Sequence, residues 1–111
     1  MLSCMRKIII FKASSGKSPF GEWINKLQKA NIKAARKILD KIDRLAVEAS
    51  VDVKALQGHR PIMEIRVNAY RVYCVIEGQK LIILLCGGDK GSQAKDIERA
   101  SRYWDEYTKQ H

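Results

Sequence analysis

The chain has 111 residues, 46% hydrophobic and 30% charged, which makes residues 1–111 one globular domain able to bury a core without disulfide or metal staples. Lys and Arg number 21 against 12 Asp and Glu, and this net charge of +9 favours a polyanionic partner (RNA, DNA or an acidic protein) over a basic surface kept for solubility. No apolar run approaches the roughly 20 residues of a membrane span, so no membrane partner is expected.

The isoleucine-rich segment Met5–Ala13 reads as a first strand. Its apolar stretch, Ile8 to Phe11, is too short for a signal peptide and stops at Lys12. A polar connector, Ser14 to Ser18, leads to Pro19, which suits the first position of a helix. Phe20, Trp23, Ile24 and Leu27 then share one helical face, to about Lys29. A break near Ala30-Asn31 separates this helix from a second, Ile32 to Glu48. There Ala35, Ile38, Leu39, Ile42, Leu45 and Ala46 are the apolar stripe, and Lys33, Arg36, Lys37, Lys41 and Arg44 lie on the other faces. Val51–Leu56 is a connector or edge strand, and Gln57–Pro61 a turn. Three strands follow closely: Ile62–Val67, Tyr70–Ile76 and Lys80–Cys86, joined by turns at Asn68-Ala69 and Glu77-Gly78-Gln79. Gly87–Gly91 is a glycine-rich loop. Ser92 is the expected N-cap of a last helix to about Tyr107, with Ile97, Ala100, Trp104 and Tyr107 buried. The order is β-α-α-β-β-β-α. It predicts an α+β fold, a mainly antiparallel sheet with an N-terminal helical hairpin and a C-terminal helix on one sheet face.

The three cysteines, Cys4, Cys74 and Cys86, are odd in number and lack CxxC spacing. They read as reduced thiols of a cytoplasmic protein. His59 and His111 are the only histidines and are far apart, so neither a metal site nor a cofactor is expected.

A two-residue turn at Asn68-Ala69 sets Val67 against Tyr70, Arg66 against Arg71 and Glu64 against Tyr73. Side chains alternate along a strand. One face therefore carries Met63, Ile65, Val67, Tyr70, Val72, Cys74 and Ile76, with Leu81, Ile83 and Leu85 from the next strand; it belongs under the helices. The other carries Glu64, Arg66, Arg71, Tyr73 and Val75, with Ile82, Leu84 and Cys86. A two-residue turn at Gly78-Gln79 puts Cys86 opposite Arg71, and the glycine loop brings Lys90 to the edge of this second face. Glu64, Arg66, Arg71, Tyr73 and Lys90 are thereby gathered, with Lys95, Gln93 and Arg60 as candidate RNA contacts. Two readings stand. The face is a solvated strand surface whose arginines pair with carboxylates, or it is a site for metal-free RNA cleavage. That reaction needs a base for the 2′-hydroxyl, an acid for the leaving oxygen, and cations for the charge growing on phosphorus. Arginines directly opposite each other repel and call for an anion between them.

The glycine loop lacks the GxxxxGK[ST] spacing of a nucleotide-binding P-loop, which disfavours an ATPase. It is a tight strand-to-helix turn or a backbone phosphate cradle.

Met63-Glu64-Ile65-Arg66-Val67, Tyr70-Arg71-Val72-Tyr73 and the run from Leu84 through Gly87-Gly88-Asp89-Lys90-Gly91-Ser92 to Ala100 resemble the phage-type addiction-module killer proteins. These are HigB-like toxins of the RelE/ParE superfamily. The resemblance spans about Pro19 to Tyr107 and includes Phe20, Trp23, Leu27, Ile38, Ile42, Arg44 and Leu45 of the helical hairpin. It implies a type II toxin that cleaves mRNA on the ribosome. Its cognate antitoxin would be of the helix-turn-helix kind. By position, Arg71 matches the arginine on the scissile phosphate and Lys90 the basic residue after the last strand. Arg66 and Glu64 lie where such toxins keep catalytic groups. The general acid has no match: the corresponding stretch is Gln93–Asp96. Alternative readings are a ParE-like inhibitor of DNA gyrase and a non-catalytic nucleic-acid-binding domain.

Overall fold

The two most apolar runs, Tyr70–Ile76 and Ile82–Cys86, become inner strands of one five-stranded sheet. The structure, a computed structural model, describes residues 5–48 and 50–111; Cys4 lies outside the described residues. The chain order is β1 (Lys7–Ile10), α1 (Pro19–Ala30), α2 (Ile32–Val47), β2 (Lys54–Ala55), β3 (Ile62–Val67), β4 (Tyr70–Glu77), β5 (Leu81–Asp89), a single 3₁₀ turn (Lys90–Ser92) and α3 (Gln93–Gln110). The sheet order is β1-β5-β4-β3-β2. Strand β1 runs parallel to β5, and the other neighbours are antiparallel. The fold is thus a mixed α+β domain, with the segment after α2 supplying a short edge strand, β2.

The helical hairpin is set by its caps. Pro19 opens α1, and the Ser18 hydroxyl accepts from the Gly21 N–H at 3.2 Å. Asn31 serves both helices. Its N–H closes α1 on the Leu27 carbonyl, and its side chain accepts from the Ala34 N–H to start α2. The stripe Phe20, Ile24, Leu27, Ala35, Ile38, Ile42 and Leu45 packs on Ile65, Val72, Cys74, Ile82 and Leu84. Each large aliphatic side chain so buried contributes about 1.5–3 kcal/mol.

Helix α3 does not join that layer. It covers the opposite sheet face, where Ala100, Ile97, Trp104 and Tyr107 meet Tyr73, Val75, Ile83 and Leu85. The expectation of all helices on one face is corrected, and so is the parity of the last strand. The second hairpin turn holds three residues, not two: Glu77 pairs with Leu81, and the Lys80 N–H closes on the Glu77 carbonyl. One extra residue flips the following strand. Ile82 and Leu84 therefore face the hairpin, and Ile83 faces α3. A bulge between Tyr73 and Cys74 then takes up Leu85, so that Cys86 faces Tyr73 and Gly88 faces Arg71. The sheet centre is buried on both sides, which is why its strands read as continuous apolar runs.

Candidate active site

The β3–β4 turn builds the site. Asn68 takes a φ of 54°, a left-handed conformation that asparagine tolerates, and makes the two-residue connection. Val67 pairs with Tyr70, Arg66 with Arg71, and Glu64 with Tyr73. The Lys90 N–H donates to the Ala69 carbonyl at 2.8 Å, which ties the end of β5 to the same turn. Gly87, Gly88 and Asp89 are part of β5, and only Lys90–Ser92 remain as a turn. Ser92 occupies the N-cap position of α3 as expected but makes no capping side-chain bond; Asp89 caps the 3₁₀ turn, its carboxylate accepting from the Gly91 and Ser92 N–H groups.

Glu64 is fully buried, and both its oxygens are engaged. Oε1 accepts from Arg66 Nε at 2.6 Å, and Oε2 accepts from Gln93 Nε2 at 2.8 Å. Arg71 Nε stands 3.9 Å from Oε2, an ion pair without a hydrogen bond. Burial alone would raise the Glu64 carboxyl. The Arg66 and Gln93 hydrogen bonds, with the charges of Arg66 and Arg71, outweigh it and hold the group below its usual 4.5. A depressed carboxyl gives stability that is complete above the unfolded value and lost as pH falls through the folded one. Wild type is therefore expected to lose stability on acidification below about 4.5, and Glu64→Gln to show a flatter acid limb. Denaturant midpoints measured between neutral pH and pH 3 check this; parallel curves for the two proteins would refute it.

Arg71 is only 8% exposed. Its Nε and Nη1 have no hydrogen-bond partner among the described residues. Two residues on, and on the same face, the buried Tyr73 hydroxyl also lacks a partner. Burial, then the charges of Glu64, Asp96 and Cys86, push the Tyr73 phenol well above its ordinary range, and Arg71 only partly opposes them. Tyr73 is a donor at neutral pH and not a base. Three buried donors in one place strongly favour an acceptor such as a phosphate oxygen. Arg66 is about half exposed at the rim, and Lys90 is exposed beside the turn.

The expected residues divide as follows. Glu64, Arg66, Arg71, Tyr73 and Gln93 come together, with Lys90 at the adjoining turn. Lys95 is exposed two residues beyond Gln93, where it points away from Gln93 on the helix. Arg60 precedes the far end of β3 and lines a separate cavity with Ala55, Leu56, Gln57 and Gly58. The bond from Gln93 to Glu64 has no sequence signal beyond the start of a helix. Asp96 was not singled out either, yet it is 3% exposed. Arg99 Nη1 donates to it at 3.1 Å, and so does the Ser92 hydroxyl. Its carboxylate fills the space over Gly88, directly across from Arg71. Among the described residues no group of three or more His, Cys, Asp or Glu is placed to hold a metal ion, and no helix is long and apolar enough to cross a membrane.

Residues 22–105 match a family described as phage-derived protein Gp49-like (DUF891). An uncharacterized protein of Haemophilus influenzae is 40% identical over 84 residues, which cover 73% of this chain and 81% of that protein.

Proposed function

The chain belongs to the Gp49-like phage-derived family, a RelE/ParE-like toxin family, and on that premise we propose that it is the toxin of a type II toxin–antitoxin system that cleaves mRNA on the ribosome and so blocks translation. The observation that carries this reading is the buried guanidinium of Arg71, whose Nε and Nη1 have no hydrogen-bond partner among the described residues, next to half-exposed Arg66. A guanidinium with donors left free suits phosphate oxygens. In the reaction the 2′-hydroxyl oxygen bonds to phosphorus and the bond to the 5′-oxygen breaks. The hydroxyl proton leaves to a base and the departing oxygen gains one, so the products are a 2′,3′-cyclic phosphate and a 5′-hydroxyl. Arg71 and Lys90 offset the charge that grows on the phosphoryl oxygens. Arg66 orients the backbone. Glu64, ionised but hydrogen-bonded at both oxygens, holds the arginines in place, and it serves as base when Arg66 or Gln93 releases it. Tyr73 donates a proton or a hydrogen bond. The family implies an antitoxin partner, which we take to be of the helix-turn-helix kind.

The test is to map RNA 5′ ends after induction, and to repeat cleavage with purified protein on naked RNA, free of ribosomes, with and without EDTA. Cleaved mRNA with 5′-hydroxyl ends, formed equally well with chelator, is expected, because the guanidinium and ammonium groups supply the positive charge. DNA breaks with an SOS response and intact mRNA would replace this reading with gyrase inhibition. Loss of cleavage in EDTA would replace the mechanism.

A further inference from the structure

Strand β2 pairs with β3 only at Met63 and Glu64, so a notch opens beside Arg66 where β2 stops short. A cavity of about 380 Å³ fills this notch. Its wall is the Glu64–Arg66 pair, and Lys41, Lys54 and Asp52 stand around it. Lys54 lies opposite Glu64 in the sheet register, so one row across the strands reads Lys54, Glu64, Tyr73 and the next reads Arg66, Arg71. The half-buried Lys41 reaches over from α2, and its Nζ donates to the Arg66 carbonyl at 2.7 Å. One of its three protons is used there and two remain. With Glu64 neutralised by Arg66, the notch holds two ammonium groups against the single carboxylate of Asp52. Neighbouring strands stand about 4.8 Å apart. From Arg71 to Arg66 the cations move outward by one strand spacing; Lys54 stands on the next strand in the neighbouring row, and Lys41 reaches the same edge from α2.

We propose that Lys41 and Lys54 hold the next phosphates of the RNA, so that the strand crosses β4, β3 and β2 at right angles and leaves over the β2 edge. This rests on the RNA-cleaving reading above and adds its direction and two binding residues. Both lysines act on affinity and touch no reacting atom. A cation on a phosphate releases a condensed counterion, so its loss weakens binding and flattens the salt dependence by about 0.7 in the log–log slope per contact on a single strand.

The probe is a fluorescent ten-nucleotide 2′-O-methyl RNA, which cannot be cleaved, titrated by anisotropy at several salt concentrations. Lys41→Gln and Lys54→Gln are each expected to weaken binding about 3–10-fold and to flatten the slope by about 0.7. Asp52→Asn is expected to tighten it. Lys109→Gln, at the opposite end of α3 from Gln93, removes the same charge and serves as the comparison. If the wild type binds the RNA and cleaves mRNA but both notch variants match Lys109→Gln in affinity and slope, the proposed path is wrong and the cleavage reading stands. If the wild type shows neither salt-dependent RNA binding nor cleavage, both fall together.

Discussion

Replacing Arg71 with alanine is expected to abolish growth arrest and to lower the cleavage rate by about 10²–10³, the usual loss when one preorganised stabilising group is removed. The expectation follows from what Arg71 lacks. Its Nε and Nη1 are buried with no hydrogen-bond partner among the described residues, and Nε has only the 3.9 Å ion pair with Glu64. On the RNA-cleaving reading, their acceptor is the substrate phosphate. The alanine protein should fold, because Glu64 keeps its hydrogen bonds to Arg66 and Gln93. Arg71→Lys tests the geometry: it keeps the charge but loses the planar fork, and should recover only part of the rate. Single-turnover cleavage, with circular dichroism to confirm folding, measures all three proteins. Full toxicity in a folded Arg71→Ala protein would remove this residue from the mechanism.

The second large effect is expected at Gly88, and on stability. A Cβ added there would strike the Asp96 carboxylate. Asp96 is not free to swing aside, being buried and held by Arg99 and the Ser92 hydroxyl. Gly88→Ala should therefore cost about 1–3 kcal/mol as an overpacking change, seen as a fall in melting temperature of roughly 4–8 °C per kcal/mol for a domain near this size. Asp96→Ala removes the closer obstacle and frees the Ser92 hydroxyl, the other one, to rotate away, so the double variant should be more stable than the sum of the two single losses predicts. Strictly additive losses would show that Asp96 is not what Gly88 accommodates.

The residues differ in how openly the sequence declares them. Arg66 opposite Arg71 was legible, because the Asn68-Ala69 turn fixes the register with two residues and alternation does the rest. The side of β5 was not. Gly78-Gln79 looks like a two-residue turn, but Lys80 joins it, and the bulge at Leu85 then shifts the pairing again. Each adds one residue, which periodicity cannot detect in a strand apolar at every position. The same ambiguity hid the place of α3. Tyr73 and Val75 alternate with Val72 and Cys74, yet both sets are buried, so the pattern could not say that the second face is also covered. Gln93 and Asp96 depend on where α3 lands after its 3₁₀ turn, a tertiary matter that local spacing does not encode.

The pairing of β1 with β5 has a consequence in time. Lys7 meets Leu81, and among the described residues no strand lies beyond β1 in the sheet order. Strand β1 must wait for β5, so this is the most distant pairing in the sheet, and distant pairings form slowly. Glu64, Arg71, Lys90 and Gln93 likewise become neighbours only after β5 and the start of α3 have been made. A nascent chain that has not yet reached α3 therefore carries no assembled site.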